Sequence, residues 1–76
     1  MLSVEQLQKI ASLLIKAYRA DIVRDGDWWF GIDDYDFNIW SDDSDLYNIN
    51  VYEHNGKGMD KYSHWIDLPQ VYLSSN

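Results

Sequence analysis

Nine carboxylates fall between residues 25 and 53 with no lysine or arginine among them: Asp25, Asp27, Asp33, Asp34, Asp36, Asp42, Asp43, Asp45 and Glu53. Such side chains can ligate a hard cation, work in pairs as general acid and base, or present negative charge to a basic partner. Calcium ligation calls for the loop D-x-[DN]-x-[DN]-G closed by a glutamate, and Asp42-Asp43-Ser44-Asp45 lacks that spacing. A carboxylate pair is uninformative where so many lie together, and no glycine-rich phosphate loop or activated nucleophile accompanies it. His54 and His64 are the only imidazoles, without i, i+4 spacing and without a cysteine in the chain, so neither a metal site nor a nucleophile–base pair is expected. No catalytic residue and no cofactor are expected either.

The third use fits the distribution of charge. Residues 1–24 sum to +2 and residues 54–76 to zero, so the formal charge of −7 arises in the middle of the chain. Taken singly, each Asp is explained as a turn former or as a charge guarding a strand edge. Taken together they are not, because soluble surfaces mix both signs and a base-free run repels itself. The alternation of residue types directs these acids to turns and to strand positions facing away from the core. Asp34 and Asp36, if both are extended, share a face about 6.6 Å apart. Trp40 and Tyr52 fall among the polar positions Asp36, Asn38, Asn48 and Asn50, which marks either a contact surface or a face covered by a loop or the C-terminal segment. Trp28 and Trp29 are adjacent, so a strand sends them to opposite faces and only one enters the main core. The candidate partner-binding set is Asp33, Asp34, Asp36, Trp40, Asp42, Asp43, Asp45, Tyr52 and Glu53.

These side chains need a scaffold, and the spacing of apolar residues supplies one. Ser3 followed by Gln6 is a capping pair, and Val4, Leu7, Ile10, Ala11, Leu14, Ala17 and Tyr18 recur at three and four residues, predicting a helix over about 4–18. Beyond it the period becomes two. Asp25-Gly26 reads as a tight turn into a strand over Trp28–Ile32, and Tyr35/Phe37/Ile39 and Tyr47/Ile49/Val51 read as a hairpin. Both apolar sets share a face only across an odd loop, either Asp43–Asp45 or Ser41–Asp45. His54–Gly58 is a turn, Tyr62–Leu68 a last strand ending before Pro69, and Ser74–Asn76 a fraying end. The expected fold is α+β, a single domain over 1–76 with one N-terminal helix packed on an antiparallel meander of about four strands spanning roughly 21–73.

A chain of 76 residues buries about 60% of its unfolded surface, and without a cysteine its four Trp, six Tyr and two Phe must supply much of that burial. The opening apolar run is broken by Gln6, Gln8, Lys9 and Lys16, so it reads as a folded helix and not as a leader, and no stretch reaches the ~20 apolar residues of a membrane span.

The segment DGDWWFGIDDYDFNIWSDDSDLYNINVYE, with its rings set among acids, resembles the small, acidic, cysteine-free phage and mobile-element proteins that inhibit bacterial defence, including DNA-mimicking anti-CRISPR and anti-restriction proteins. The resemblance lies in general character, without an aligned motif. It implies a non-enzymatic inhibitor in the host bacterial cytoplasm, monomeric or homodimeric, whose partner is a basic nucleic-acid-binding protein: a CRISPR effector, a restriction enzyme or a nuclease. The acidity argues against direct nucleic-acid or membrane binding. An immunity protein covering a nuclease toxin, and a plain interaction or assembly subunit, are the alternatives.

Overall fold

The computed structural model describes residues 2–42, 45–54 and 62–73. They form a helix, α1 (Val4–Asp25), followed by four strands, β1 (Asp27–Ile32), β2 (Tyr35–Ser41), β3 (Leu46–His54) and β4 (Tyr62–Tyr72). Ser3 starts the helix as its spacing to Gln6 predicts. Its Oγ accepts the Gln6 N–H at 3.1 Å while its own N–H donates to Gln6 Oε1 at 2.9 Å, which satisfies two orphan donors of the first turn.

The helix is longer than the apolar spacing predicts. Its expected end at Tyr18 is a kink, with Tyr18 at φ −119° and ψ 23°, after which the helix resumes. The change in spacing marks a bend: Ile22 reaches the core beyond it, while Tyr18 swings outward with its ring 5.2 Å from Phe30. Asp25-Gly26, expected as a tight turn into the strand, is therefore the helix terminus. Gly26 adopts the left-handed φ of 79° and donates its N–H to the Ile22 carbonyl at 2.6 Å, the usual way a glycine closes a helix, so the sheet begins at Asp27 and not near residue 21. The buried stripe runs through Leu7, Ala11, Ile15 and Ile22, and Val4 and Tyr18 are exposed.

The strands form an antiparallel meander in the order β1-β2-β3-β4, the α+β architecture expected. Phe37 faces Val51 and Ile39 faces Ile49, which is the register of the Asp43–Asp45 loop and excludes the Ser41–Asp45 alternative. The turns after His54 and the end from Ser74 lie outside the described residues. β4 does not stop before Pro69. It is an edge strand, where a residue without an N–H is tolerated, and Tyr47 pairs with Val71 while Ile49 pairs with Leu68, leaving Pro69 and Gln70 as a bulge opposite Asn48. The bulge resets the alternation, so Ile66 and Leu68 before it and Val71 and Leu73 after it all pack toward the helix.

The core lies between the helix stripe and one sheet face: Tyr35, Phe37, Ile39, Tyr47, Ile49, Val51 and Leu68. Arg19 fastens the two layers at one end. Its guanidinium donates to Asp45 Oδ1 at 3.1 Å and to the Leu73 carbonyl at 2.7 Å, while Leu73 N–H donates to the Asp45 carbonyl at 2.8 Å.

A Cβ at Gly26 meets nothing within 4 Å, so replacing this glycine tests backbone strain alone. Gly26→Ala is expected to cost about 1 kcal/mol and lower the melting temperature by roughly 4–8 °C, with Gly26→Asn closer to the parent because Asn tolerates the left-handed region. Equal melting temperatures for all three proteins would contradict the cap assignment. Phe37→Ala, by contrast, removes a fully buried ring and is expected to cost about 3–5 kcal/mol, leaving much of the chain unfolded in a urea titration.

Candidate functional site

With α1 on one side of the sheet, alternation sends the remaining side chains to the other. The strand registers arrange them in rows across the strands. One row is Gly31, Asp36, Tyr52 and Trp65; the next is Trp29, Asn38, Asn50 and Asp67; a third holds Asp27, Trp40 and Asn48. Each row contains a carboxylate and at least one ring, and among the described residues no element packs over this face.

The rings form a strip running across the strands. Trp29 reaches over β2 to stack on Tyr52, with centroids 5.9 Å apart and planes inclined by 26°, and Tyr52 in turn touches Trp65. Tyr52 is half-buried because these neighbours flank it, while Trp29 and Trp65 remain 49% and 45% exposed. Trp40 is also half-buried on this side. Tyr52 and Trp40 thus lie on the sheet face away from α1, each half-buried. Trp28 goes the other way, against the core.

Amides prop the carboxylates from neighbouring strands. Asn38 donates to Asp27 Oδ1 at 2.5 Å, and Asn48 donates to Asp42 Oδ2 at 2.9 Å while accepting from Gln70 at 2.6 Å. The Asn50 amide, oriented to satisfy both of its ends, donates to Asp67 Oδ1 at 2.6 Å. One N–H uses only part of a carboxylate's acceptor capacity, so each prop fixes the group and leaves lone pairs for a further donor. Asp36 Oδ2 lies 2.9 Å from His54 Nε2, a tie between β2 and β3.

The acids predicted from sequence divide into those at the surface and those used by the fold. Asp33 and Asp34 are exposed in the β1–β2 turn, Asp33 at a left-handed φ of 52°, which Asp and Asn tolerate better than most residues. Asp34 is therefore not extended and shares no strand face with Asp36; its carbonyl accepts the His54 N–H at 2.7 Å. Asp42 is exposed beyond β2, and Asp43 lies outside the described residues. Asp45 does not project from the hairpin: it turns back to Arg19, and both side chains are about three-quarters buried, at 24% and 26% exposure. Glu53 is likewise misplaced by the expectation. It shares the parity of Tyr47, Ile49 and Val51, so it points to the helix side, where it is 6% exposed and accepts the Tyr35 hydroxyl at 3.3 Å.

Two members of the face, Trp65 and Asp67, were not among the expected residues. The signal was present, because they alternate with the core residues Ile66 and Leu68 and so must point outward.

The basic side chains of the described residues, Lys9, Lys16, Arg19 and Arg24, all belong to α1. Arg24 hydrogen-bonds Asp25 and Asp21, which raises its pKa further, Asp25 contributing most, so Asp25 is an exposed acid that is already paired with a base. Among the described residues the open sheet face and its flanking turns thus carry Asp27, Asp33, Asp34, Asp36, Asp42 and Asp67 with no lysine or arginine. No helix is long and apolar enough to cross a membrane among the described residues. The chain matches no family model, and no curated protein and no solved structure matches it.

Proposed function

We propose that the chain is a non-catalytic inhibitor that seats its acid-and-ring sheet face against a basic, nucleic-acid-binding surface of a partner protein, in the manner of a DNA mimic. The observation that carries this reading is the segregation of charge among the described residues: lysines and arginines on the helix, and acids without a lysine or arginine on the opposite face of the sheet and its flanking turns. A carboxylate held by one amide is an anionic acceptor in a fixed position, as a phosphate oxygen is on a nucleic-acid backbone. Arginines and lysines arranged for phosphates find the same charge here without a sugar or base to read. The summed field of the face raises the association rate with a cationic surface, and close charge pairs then slow dissociation. A bacterial defence effector and a nuclease toxin both offer such a groove. In this reading the Asp36–His54 contact is a structural tie and carries no reaction.

Binding to such a partner is expected to compete with its DNA or RNA and to weaken as salt rises from low to physiological strength. A partner that still holds its nucleic acid at saturation would count against the proposal.

The division of the acids gives a sharper test. Changing Asp33, Asp34 and Asp42 together to Asn keeps side-chain size and the turn at residue 33 while removing three exposed charges, so partner affinity should fall roughly tenfold or more, about 1.4 kcal/mol, with the melting temperature level or higher. Asp45→Asn breaks the Arg19 pair instead, and should lower stability by about 1 kcal/mol while the folded protein binds as before. Calorimetry of binding and of unfolding on both variants decides the matter, and unchanged affinity in the triple variant removes the case for mimicry.

A further inference from the structure

We propose that the open sheet face is a seat for arginine side chains in particular, each guanidinium lying flat on a ring with its N–H groups directed at an adjacent carboxylate. This rests on the basic-partner reading above and names the group that the face recognises. Charge mimicry accounts for the acids of the turns, but it gives no role to the rings. A phosphate backbone has nothing like the strip Trp29–Tyr52–Trp65, and two of these rings are held about half exposed to water in a small domain that needs its aromatics for burial.

The rings and acids are interleaved. Asp36 faces Tyr52 across β2 and β3, Asp27 faces Trp40 across β1 and β2, and Asp67 lies two residues from Trp65 on the same face of β4. Beside the third row, Gly26, Asp27, Asn38 and Trp40 line a shallow hollow of about 330 Å³, with an acid, an amide and a ring around it. Opposite Asp36, Gly31 leaves the corner open, and a Cβ there would stand 3.4 Å from Asp36 Oδ1.

The chemistry of the face selects among ligands. A neutral saccharide stacks on such rings, but it would leave the carboxylates desolvated without a counter-charge. A nucleobase brings phosphates, which the acids repel. An ammonium is a compact, strongly hydrated charge that satisfies an acid without needing a flat surface. A guanidinium is planar, weakly hydrated and forked, so it uses ring and carboxylate at once.

The probes are nona-arginine and nona-lysine peptides titrated into the intact protein, followed by tryptophan emission and calorimetry at low and physiological salt. The arginine peptide is expected to bind roughly tenfold tighter than the lysine peptide and to shift the emission. Trp29→Ala and Trp65→Ala should bring the two peptides to the same affinity while leaving lysine binding in place, with circular dichroism confirming the fold. Equal, salt-sensitive affinity for both peptides in the parent protein refutes the arginine seat and leaves the basic-partner reading standing. Failure of both peptides to bind at low salt refutes the two together. An emission change with a neutral cello-oligosaccharide and none with nona-arginine would overturn the proposal in favour of a sugar platform.

Discussion

A single helix can cover one face of a four-stranded sheet and no more. With its residues committed to α1 and β1–β4, the described chain has no second layer, so everything on the far face must be compatible with water and still hold the strands flat. The sequence meets that constraint with cross-strand amides. Asn38, Asn48, Asn50 and Gln70 each bridge to a neighbouring strand by a hydrogen bond, stitching the meander without an apolar layer. The acids these amides hold and the rings that pack beside them follow from the same constraint, because an uncovered face is where a small domain can present side chains without hollowing its core.

The layered architecture was legible because its signals are local. The Ser3–Gln6 cap, the three- and four-residue spacing through Leu14 and the strict alternation of Tyr35–Ile39 and Tyr47–Val51 depend on neighbours in sequence, and each led to the right element. The boundaries depended on tertiary packing. Tyr18 breaks the helix stripe, but Ile22 finds the core one turn on, so the helix bends where periodicity alone would end it. Pro69 is a stop signal in a central strand and a tolerated residue in the bulge of an edge strand, and which applies is decided by strand order.

The candidate face was legible in kind but only partly in membership. Alternation placed Asp36, Trp40 and Tyr52 correctly on the open side. Applied to β3 it also places Glu53 inward and applied to β4 it places Trp65 and Asp67 outward, so all three were readable from parity; Glu53 was obscured by treating acidity itself as a sign of exposure, and Trp65 and Asp67 by lying outside the base-free segment 25–53. Asp45 was not readable in that way. It has the inward parity of Tyr47, but its role comes from Arg19, distant in sequence, and a contact of that separation leaves no local trace.

Folding also changes what the acidic run costs. In sequence, nine like charges in succession suggest strong self-repulsion, yet Asp25 and Asp45 meet arginines and Glu53 is taken inside. Within the sheet face two of the nine remain, Asp27 on β1 and Asp36 on β2, and with Asp67 on β4 they sit one to a row and on different strands. Strand spacing of about 4.8 Å and a rise of about 3.4 Å per residue put such positions on the order of 10 Å apart. At that separation two unit charges in water repel by about 0.4 kcal/mol before screening, and a Debye length of about 8 Å reduces it further. The face can therefore hold unmixed charge at little cost to a marginal fold. A cationic partner reaching several rows at once meets each carboxylate at contact distance, where the same Coulomb law gives several times as much per pair, so spacing that is nearly neutral for the free protein still favours the complex.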